Sequence, residues 1–330
     1  MKKNKIVISS ERSYQHYPSW DVVYEWEDIF SKVLDCEVVD LYPPFLGKNL
    51  NFFRKIMRKM NLCQSFFKVS ENKQWKIIWI MDAGIYKQYT FMNVIPIFLD
   101  FNINMVEQIM KATSQLPCWW VTNNEIYKEL KKRNCRNVFF FPLSISDKYV
   151  SGNINSKTID VIQFGRKNRK LHEYMLRICK KNPDIEYIYQ ISGKTLEYYS
   201  TKNGKIGKFD KREDYIKLIQ KCKVSIVSSP GIDSSRDFGG IDFITPRFYE
   251  SAAFYSHMIG RYTKNEEADL ISLEEVCANI SSYDEFENIL MNMLEIDCNE
   301  NITKYNDFLN KNKTSCRAIE MKEILEMLIE

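Results

Sequence analysis

The sequence predicts an α/β protein built from two doubly wound halves with a cleft between them. Short apolar runs alternate with amphipathic helical patterns, which indicates βαβ units and a parallel sheet covered on both faces. The alternation stops once, at a Ser-, Asn- and Gly-rich stretch over 142–157, and then restarts. The chain has 330 residues, which exceeds one ordinary core, so two domains are the default expectation.

In the first half, the periodicity predicts helices over Asp21–Leu34 and Asn124–Arg133. The strands predicted there are Lys5–Ser9, Cys36–Leu41, Lys76–Met81, Ile95–Leu99, Cys118–Thr122 and Val138–Phe141. The strands predicted in the second half are Ile159–Phe164, Glu186–Ile191, Val224–Ser228 and His257–Gly260, and its helices are Arg169–Lys181, Arg212–Lys221 and one that begins at Pro246. Capping boxes at Ser272 with Glu275 and at Ser282 with Glu285 begin later helices, and Ile302 to Glu330 forms two more.

The composition excludes several classes of protein. Hydrophobic residues make up 45% and charged residues 27%, as in folded soluble proteins. The 47 basic and 43 acidic residues are too evenly balanced to indicate a nucleic-acid partner. Nine cysteines without a CxxC pair indicate reduced thiols. Because no apolar run is long enough for a signal peptide or a membrane span, we expect a cytoplasmic protein with at most peripheral contact at the inner face of the membrane.

A basic loop opens the second half. A buried strand ends at Gly165, and four cations crowd the start of the next helix: Arg166, Lys167, Arg169 and Lys170. Cations at a helix N-terminus oppose the helix dipole. A bound diphosphate would turn that cost into a clamp, because Arg and Lys beside backbone N–H groups fit phosphate oxygens. The alternative is a solvated basic turn without a ligand.

A second group of polar residues follows the strand 224–228. A Ser-Ser-Pro-Gly turn containing Ser229 leads into a long polar loop and then into a helix with Thr245 as N-cap and Pro246 at its first position. Arg247 and Glu250 lie three residues apart on one helix face. Such a helix start suits an anionic ligand, and the carboxylates of Asp242 and Glu250 suit sugar hydroxyls. The loops 165–170, 228–241 and 242–250 thus face one edge of the predicted sheet.

The stretch Pro246-Arg247-x-x-Glu250-x-x-Ala253 resembles the nucleotide-sugar glycosyltransferases of the GT-B fold, particularly the group 1 and CgeB-like families. The resemblance covers most of residues 118–262 and is weak over 1–110. It implies two doubly wound Rossmann-like domains with an interdomain cleft. These are an acceptor-binding domain over 1–145, a nucleotide-sugar donor-binding domain over 146–310 and a C-terminal helix over 311–330 that packs back on the first domain.

The resemblance also implies the donor-binding roles. Glu250 matches the second acidic residue of the family's paired motif, which holds the donor ribose, and Asp242 stands at the first position as a shorter carboxylate. Gly165, Arg166 and Lys170 match the element that grips the diphosphate, one residue short at Lys170, so that Lys167 or Arg169 is the alternative. The implied donor-binding residues are Arg166, Lys170, Ser229, Asp242, Thr245, Arg247 and Glu250. Phe254-Tyr255-Ser256 departs from the small pair that the family usually has there.

A catalytic base and a metal are harder to find in the sequence. An inverting transferase needs a base within hydrogen-bond reach of the acceptor hydroxyl. His16, in the loop after the first strand, is the first candidate, followed by Glu11 and Asp21; a loop histidine without a catalytic role is the alternative, and a retaining enzyme needs no such base. Neither a DxD motif nor a cluster with metal-ligand spacing is present. We therefore expect no metal and no cofactor besides the nucleotide-sugar co-substrate.

The segment 50–60 has apolar residues at helical spacing with Arg and Lys between them. It is either a helix lying on anionic lipid or one packed on the sheet. The sequence as a whole predicts a metal-independent, hexosyltransferase-like glycosyltransferase. It would move a sugar from a nucleotide-diphosphate donor to a glycan or lipid-linked acceptor in bacterial surface polysaccharide synthesis. The alternatives are an epimerase or hydrolase of the same donor, and a non-catalytic nucleotide-sugar binding protein.

Overall fold

The computed structural model describes residues 6–13, 15–41, 74–84, 86, 93–150, 154–192, 195–233 and 241–329. The chain divides into two compact units, which we call unit 1 and unit 2. Unit 1 comprises Met1–Pro142 together with Thr314–Glu330, and unit 2 comprises Leu143–Lys313. Each unit contains a sheet of mainly parallel strands connected by helices, so the predicted α/β class with two Rossmann-like halves is confirmed. The segment 50–60 lies outside the described residues.

The described strands and helices are numbered in chain order. The strands are β1 Ile6–Ser10, β2 Val38–Asp40, β3 Trp75–Asp82, β4 Val94–Asp100, β5 Trp119–Val121, β6 Val138–Phe140, β7 Ile159–Gln163, β8 Tyr187–Gln190, β9 Glu197–Ser200, β10 Gly204–Lys208, β11 Cys222–Ser228, β12 His257–Arg261 and β13 Cys277–Asn279. The α-helices are α1 Pro18–Leu34, α2 Val106–Thr113, α3 Asn124–Lys132, α4 Arg169–Lys181, α5 Arg212–Gln220, α6 Pro246–Ala253, α7 Glu266–Leu270, α8 Leu273–Val276, α9 Tyr283–Glu295, α10 Ile302–Asn312 and α11 Thr314–Ile329.

The sheet of unit 1 is parallel, with the order β2-β1-β3-β4-β5-β6. Its strands are apolar on both faces, as expected where helices cover both sides; in β4, for example, residues 94–98 are all buried. The strand order reverses between β1 and β3. The C-terminal helix α11 belongs to this unit and packs against α1.

The sheet of unit 2 has the order β10-β9-β8-β7-β11-β12-β13. It is parallel except for β9, which runs antiparallel to β8, and β10, which runs antiparallel to β9. Successive residues of a strand point to opposite faces, so Val161 packs with α4 and α9 on one face while Ile162 packs with α5 on the other. The strand order reverses between β7 and β11, and ligands of such sheets bind outside the carboxyl ends of the strands at this reversal.

Several local predictions differ from the structure. The β9–β10 hairpin, α2 and β13 were not predicted; the hairpin contains Gly204 and Gly207 and lacks a clear apolar alternation. The capping box at Ser272 is wrong, because Ser272 has a left-handed backbone (φ 57°) and its side chain makes no capping bond. Ser282 does cap α9 through the Glu285 N–H, and the Glu285 carboxylate interacts with the backbone N–H groups of both Ser281 and Ser282.

The beginning of the stretch 142–157 is packed rather than extended into solvent. Residues 143–146 are buried, and Ile145 forms an isolated parallel bridge with Lys313. At the end of the stretch, the Lys157 ammonium donates to the carbonyl oxygens of Gln220, at 3.0 Å, and Phe254, at 2.6 Å. These carbonyls stand at the C-terminal ends of α5 and α6, where a cation complements the helix dipole.

Candidate functional site

The loops that follow β7, β11 and β12 are joined at the carboxyl edge of the unit 2 sheet. The Asn168 amide donates to the Asp233 carboxylate at 3.1 Å, and the same carboxylate oxygen lies 2.7 Å from Nε of Arg261. Asn168 also caps α4, because its side-chain oxygen accepts from the Leu171 N–H. These bonds hold three loops together at the point where the strand order reverses.

A second connection at this edge joins the β7 loop to α6. Gly165 has a φ of +69°, and a Cβ atom there would lie 3.4 Å from Nε of Arg247. Arg247 donates from Nη1 to the carbonyl oxygen of Arg166 at 2.8 Å, and the Gly165 N–H donates to the hydroxyl of Tyr198. The left-handed backbone favours glycine here, and the Arg247 side chain lies within van der Waals distance of where a Cβ would be.

Asp242 connects two loops at this edge through its carboxylate. It is buried, and its two carboxylate oxygens accept from the backbone N–H groups of Gly231, at 3.1 Å, and Thr263, at 3.2 Å. These residues follow β11 and β12, so Asp242 ties the two loops together. The geometry gives Asp242 a structural role; its contact with a donor stays a prediction.

The N-termini of α4 and α6 are both without acidic residues in the first turn. Thr245 occupies the N-cap position of α6 and Pro246 begins the helix, as predicted, but the Thr245 side chain makes no capping bond. Among the described residues, the hydroxyls of Thr245 and Ser229 are buried without a hydrogen-bond partner. An unsatisfied buried hydroxyl costs free energy, and the hydroxyls of Ser225 and Ser251 are buried in the same way.

Glu250 is 3% exposed, and both of its carboxylate oxygens are engaged. Nη1 of Arg212 lies 2.6 Å from Oε1, and the Tyr215 hydroxyl donates to Oε2 at 3.0 Å. Both partners come from α5 and are buried themselves. Glu250 thus pairs across two helices, although Arg247 lies three residues before it on the same face of α6.

Arg247 is half-buried, and desolvation lowers the pKa of its guanidinium, which remains protonated at neutral pH. Within the described part of the chain, no carboxylate forms an ion pair with it; its hydrogen bond goes to a neutral carbonyl. The carboxylate that follows it by one helical turn, Glu250, is used by Arg212.

The other cations of the β7 loop are placed less directly at this edge. Lys167 lies 4.6 Å from the Tyr189 ring, and desolvation lowers the pKa of its ammonium. Lys170 lies over Tyr174 of its own helix at 5.9 Å. Arg169 is 87% exposed and pairs with Glu173, while Arg166 is exposed and contributes its carbonyl to Arg247. Their contact with a diphosphate stays a prediction.

In unit 1, the loop after β1 carries a charged cluster that was not predicted. Glu27, on α1, is 1% exposed and accepts from the Ser10 hydroxyl at 2.6 Å and from Arg12 at 3.0 Å. Arg12 also pairs with Asp28 at 2.8 Å. Burial raises the pKa of Glu27 to about 7. His16 is exposed in the same loop, and the structure assigns it no chemistry.

Arg212, Tyr215, Tyr198 and Glu27 are the functional candidates that sequence reasoning missed. Arg212 and Tyr215 lie in a segment of mixed charge, KREDY, whose pattern is typical of an exposed helix start. His172 on α4 is half-buried and bonds to Tyr187, and desolvation lowers its pKa to about 4. One signal could have indicated Arg212: a buried acidic residue on α6 needs a buried cation as its partner.

Among the described residues, no group of three or more His, Cys, Asp or Glu side chains could hold a metal ion. None of the helices that the structure describes combines the length and the apolarity needed to cross a bilayer. The cysteines that it describes are all free thiols.

No protein-family model matches the sequence, and no curated protein matches it. Several solved structures have a similar fold. A T4 phage BGT mutant in complex with UDP-glucose is 15% identical, with 98% of this chain and 99% of that chain covered and a TM-score of 0.51. An S. aureus TarM mutant in complex with fondaparinux, α-GlcNAc-glycerol and UDP is 12% identical, with coverage of 84% and 58% and a TM-score of 0.55.

The pneumococcal O-GlcNAc transferase GtfA in complex with UDP and GlcNAc is 12% identical, with 84% of this chain and 60% of that chain covered and a TM-score of 0.46. The chain thus spans about three fifths of the length of the GtfA and TarM chains that it matches. The narrower CgeB-like assignment stays a prediction. At such low identity the likeness shows the fold alone: this chain has the α/β architecture of the GT-B fold, with Rossmann-like domains.

Proposed function

We propose that the protein is a glycosyltransferase that binds a nucleotide-diphosphate sugar at the carboxyl edge of the unit 2 sheet. The observation that carries the proposal is the Arg247 guanidinium. It is half-buried, it bonds to a neutral carbonyl, and the neighbouring Glu250 carboxylate is already paired with Arg212. A partly desolvated cation that has no ion-pair partner among the described residues favours an anionic ligand.

The surroundings of Arg247 supply the other donors that a diphosphate requires. The N-termini of α4 and α6 lack acidic residues in their first turns, so their dipoles favour negative charge. The hydroxyls of Ser229 and Thr245 are buried without protein partners among the described residues and can donate to phosphate oxygens. In this proposal, Arg166 and Lys170 add charge at the rim of the phosphate site.

The proposed chemistry follows from this placement of charge. Sugar transfer leaves a nucleoside diphosphate, and donors fixed where that negative charge develops stabilise the transition state. Glu250 is the proposed ribose contact. Because a carboxylate offers about four lone-pair positions, ribose hydroxyls can bond to it while Arg212 and Tyr215 remain in place. Asp242 acts by holding the loops.

The acceptor side of the proposal is carried by unit 1. We place the acceptor, a glycan or a lipid-linked sugar, in this unit, with His16 as the base if transfer inverts the anomeric centre. The TarM structure, which has a similar fold, contains α-GlcNAc-glycerol. A hexosyl donor, a role in bacterial surface polysaccharide synthesis and metal-independent transfer belong to the proposal; transfer that persists in EDTA would support the last point.

A thermal-shift screen against UDP, GDP, CMP and ADP sugars tests the donor site, because a ligand that binds only the folded protein raises its stability. We expect one nucleotide class to raise the melting temperature, and Arg247→Met to remove most of that shift. Lys202→Met, at an exposed lysine, is the control and should keep it. No shift with any nucleotide sugar would contradict the proposal. Sugar release without an acceptor would indicate a hydrolase, and an isomerised donor would indicate an epimerase.

A further inference from the structure

We propose that Arg212 is a positioning residue for the anion site. By pairing with Glu250, it prevents Glu250 from neutralising Arg247 and so keeps the Arg247 guanidinium available to an anionic ligand. The inference rests on the proposed function, in which that ligand is the donor diphosphate. It adds a role for a side chain on α5 that is separated from Arg247 in the sequence by the whole of β11 and the loop that follows it.

Arg247 and Arg212 compete for the Glu250 carboxylate, because the geometry of α6 places Arg247 and Glu250 on one face. Arg247 and Glu250 are three residues apart on α6, and opposite charges at this spacing normally pair. The structure shows instead that Glu250 binds Arg212 at 2.6 Å and Tyr215 at 3.0 Å, with one carboxylate oxygen for each partner. Arg247 donates to the carbonyl of Arg166. One acid thus stands between two arginines, and the more deeply buried arginine, Arg212, holds it.

Burial makes this arrangement sensitive to the loss of Arg212. The side chains of Arg212 and Glu250 are 5% and 3% exposed, so neither charge is well hydrated. A buried carboxylate that loses its cation needs another one. The Glu250 carboxylate already interacts electrostatically with Arg247. Without Arg212, we expect Glu250 to turn to Arg247 and to occupy the place of the ligand.

The experiment measures the binding of inorganic pyrophosphate and of UDP by calorimetry. Pyrophosphate lacks the ribose, so it reports on the anion site without any contribution from a ribose contact at Glu250. The variants are Arg212→Met, Arg212→Lys, Glu250→Gln, the double variant Arg212→Met/Glu250→Gln, and Arg247→Met as reference. Lys208→Met, which breaks the exposed pair with Asp210, is the control for a lost cation. Circular dichroism shows which variants fold.

We expect Arg247→Met and Arg212→Met each to weaken pyrophosphate binding about tenfold to a hundredfold, the value of a charge-assisted hydrogen bond. Arg212→Lys should keep most of the affinity. The double variant should bind within about threefold of the wild type, because it no longer contains the competing carboxylate. Because affinities are compared only among variants that circular dichroism shows to be folded, a loss in Arg212→Met that Glu250→Gln reverses reports on the competing carboxylate and not on the fold. Since the double variant and Glu250→Gln leave no unpaired buried carboxylate, they remain informative if Arg212→Met does not fold.

The outcomes separate the two proposals. If Arg247→Met weakens pyrophosphate binding but Arg212→Met binds like the wild type, the positioning role is wrong and the anion site stands. The positioning role is also wrong if the double variant or Glu250→Gln binds as poorly as Arg247→Met. If the wild type binds neither pyrophosphate nor UDP, or if Arg247→Met binds both normally, the proposed donor site is wrong and the positioning role falls with it.

Discussion

The loops after β1 and β7 occupy equivalent places in the two units, but the arginine at each loop has a different kind of partner. Each follows the first strand of its sheet, where the strand order reverses. In unit 1, Arg12 pairs with Glu27 and Asp28 of the following helix. In unit 2, the helix after the loop has no acidic residue in its first turn, and Arg247 bonds to a carbonyl. We therefore propose that the distribution of acids around the loop, and not the doubly wound fold alone, decides whether such a loop binds an anion.

The largest effect should be on stability and should come from Glu27, the buried carboxylate that pairs with Arg12 in unit 1. Burial raises its pKa to about 7, above the roughly 4.3 of an unfolded glutamate. The folded protein then holds this proton more tightly, and the stability that it contributes is present at low pH and is lost as the pH rises through about 7.

We expect the free energy of unfolding of the wild type, relative to Glu27→Gln, to fall by about 3 kcal/mol between roughly pH 4.5 and pH 8. Urea unfolding of both proteins across this range measures it. Parallel pH curves would mean that Glu27 does not titrate in this window. Nucleotide binding by unit 2 should be the same in both proteins.

Gly165→Ala should disturb the loop of unit 2 directly. The left-handed backbone costs a non-glycine residue about 1–2 kcal/mol, and the new Cβ would come into van der Waals contact with Arg247, 3.4 Å from its Nε. We expect both stability and UDP affinity to decrease. Gly204→Ala is a matched control, since its φ is +71° but nothing lies within 4 Å of a Cβ there. Gly204→Ala should lose stability but keep its UDP affinity. An equal loss of affinity in both variants would mean that the contact with Arg247 does not cause it.

Ser229→Ala and Thr245→Val test whether the unpartnered hydroxyls serve a ligand. Each should lower UDP affinity about threefold to tenfold, the value of one hydrogen bond. Stability should stay constant or rise by up to about 1 kcal/mol, because a buried unsatisfied group is removed. Ser225→Ala, at a buried and unpartnered hydroxyl within β11, should change stability in the same way. If it lowers affinity equally, the effect is not local to the site.

The smallest effect should come from placing an acidic residue in the first turn of α4, which has none. Lys170→Glu places a carboxylate in the first turn of α4, as Asp21 is placed in α1. It should raise stability by about 0.3–1 kcal/mol through the helix dipole and lower UDP affinity through repulsion. Thermal unfolding with and without UDP measures both changes. Lys202→Glu makes the same change of charge at an exposed position and should leave affinity unchanged; if it does not, net charge explains the result.

The elements of unit 2 that surround the site were largely predictable from the sequence. The helix from Arg169 to Lys181 and the start of α6 at Pro246 follow from apolar spacing and capping chemistry, which are local properties. The convergence of the loops after β7, β11 and β12 follows from the parallel order of strands. The β9–β10 hairpin was missed because its short strands and two glycines carry little periodic signal.

The partners of the charged groups were not predictable in the same way. Arg247 and Glu250 lie three residues apart on α6, but Glu250 pairs with Arg212, which precedes it by 38 positions. Asp242 binds two backbone N–H groups rather than facing open space. Such pairings are decided by tertiary packing between α5 and α6. Sequence patterns can therefore find a polar edge, but they do not assign each charge on it to a protein partner or to a ligand.

The Lys157 ammonium has a consequence for motion. It donates to the last carbonyls of both α5 and α6, the two helices whose side chains form the Arg212–Glu250 pair. Lys157 thus connects the two helices at their C-terminal ends, and the buried Arg212–Glu250 ion pair connects them along their length. Local opening of either helix would have to break both contacts, so we expect the two helices to behave as one cooperative unit in amide hydrogen exchange. A ligand that binds at the N-terminus of α6 would then slow exchange in α5 as well, although no part of it touches that helix.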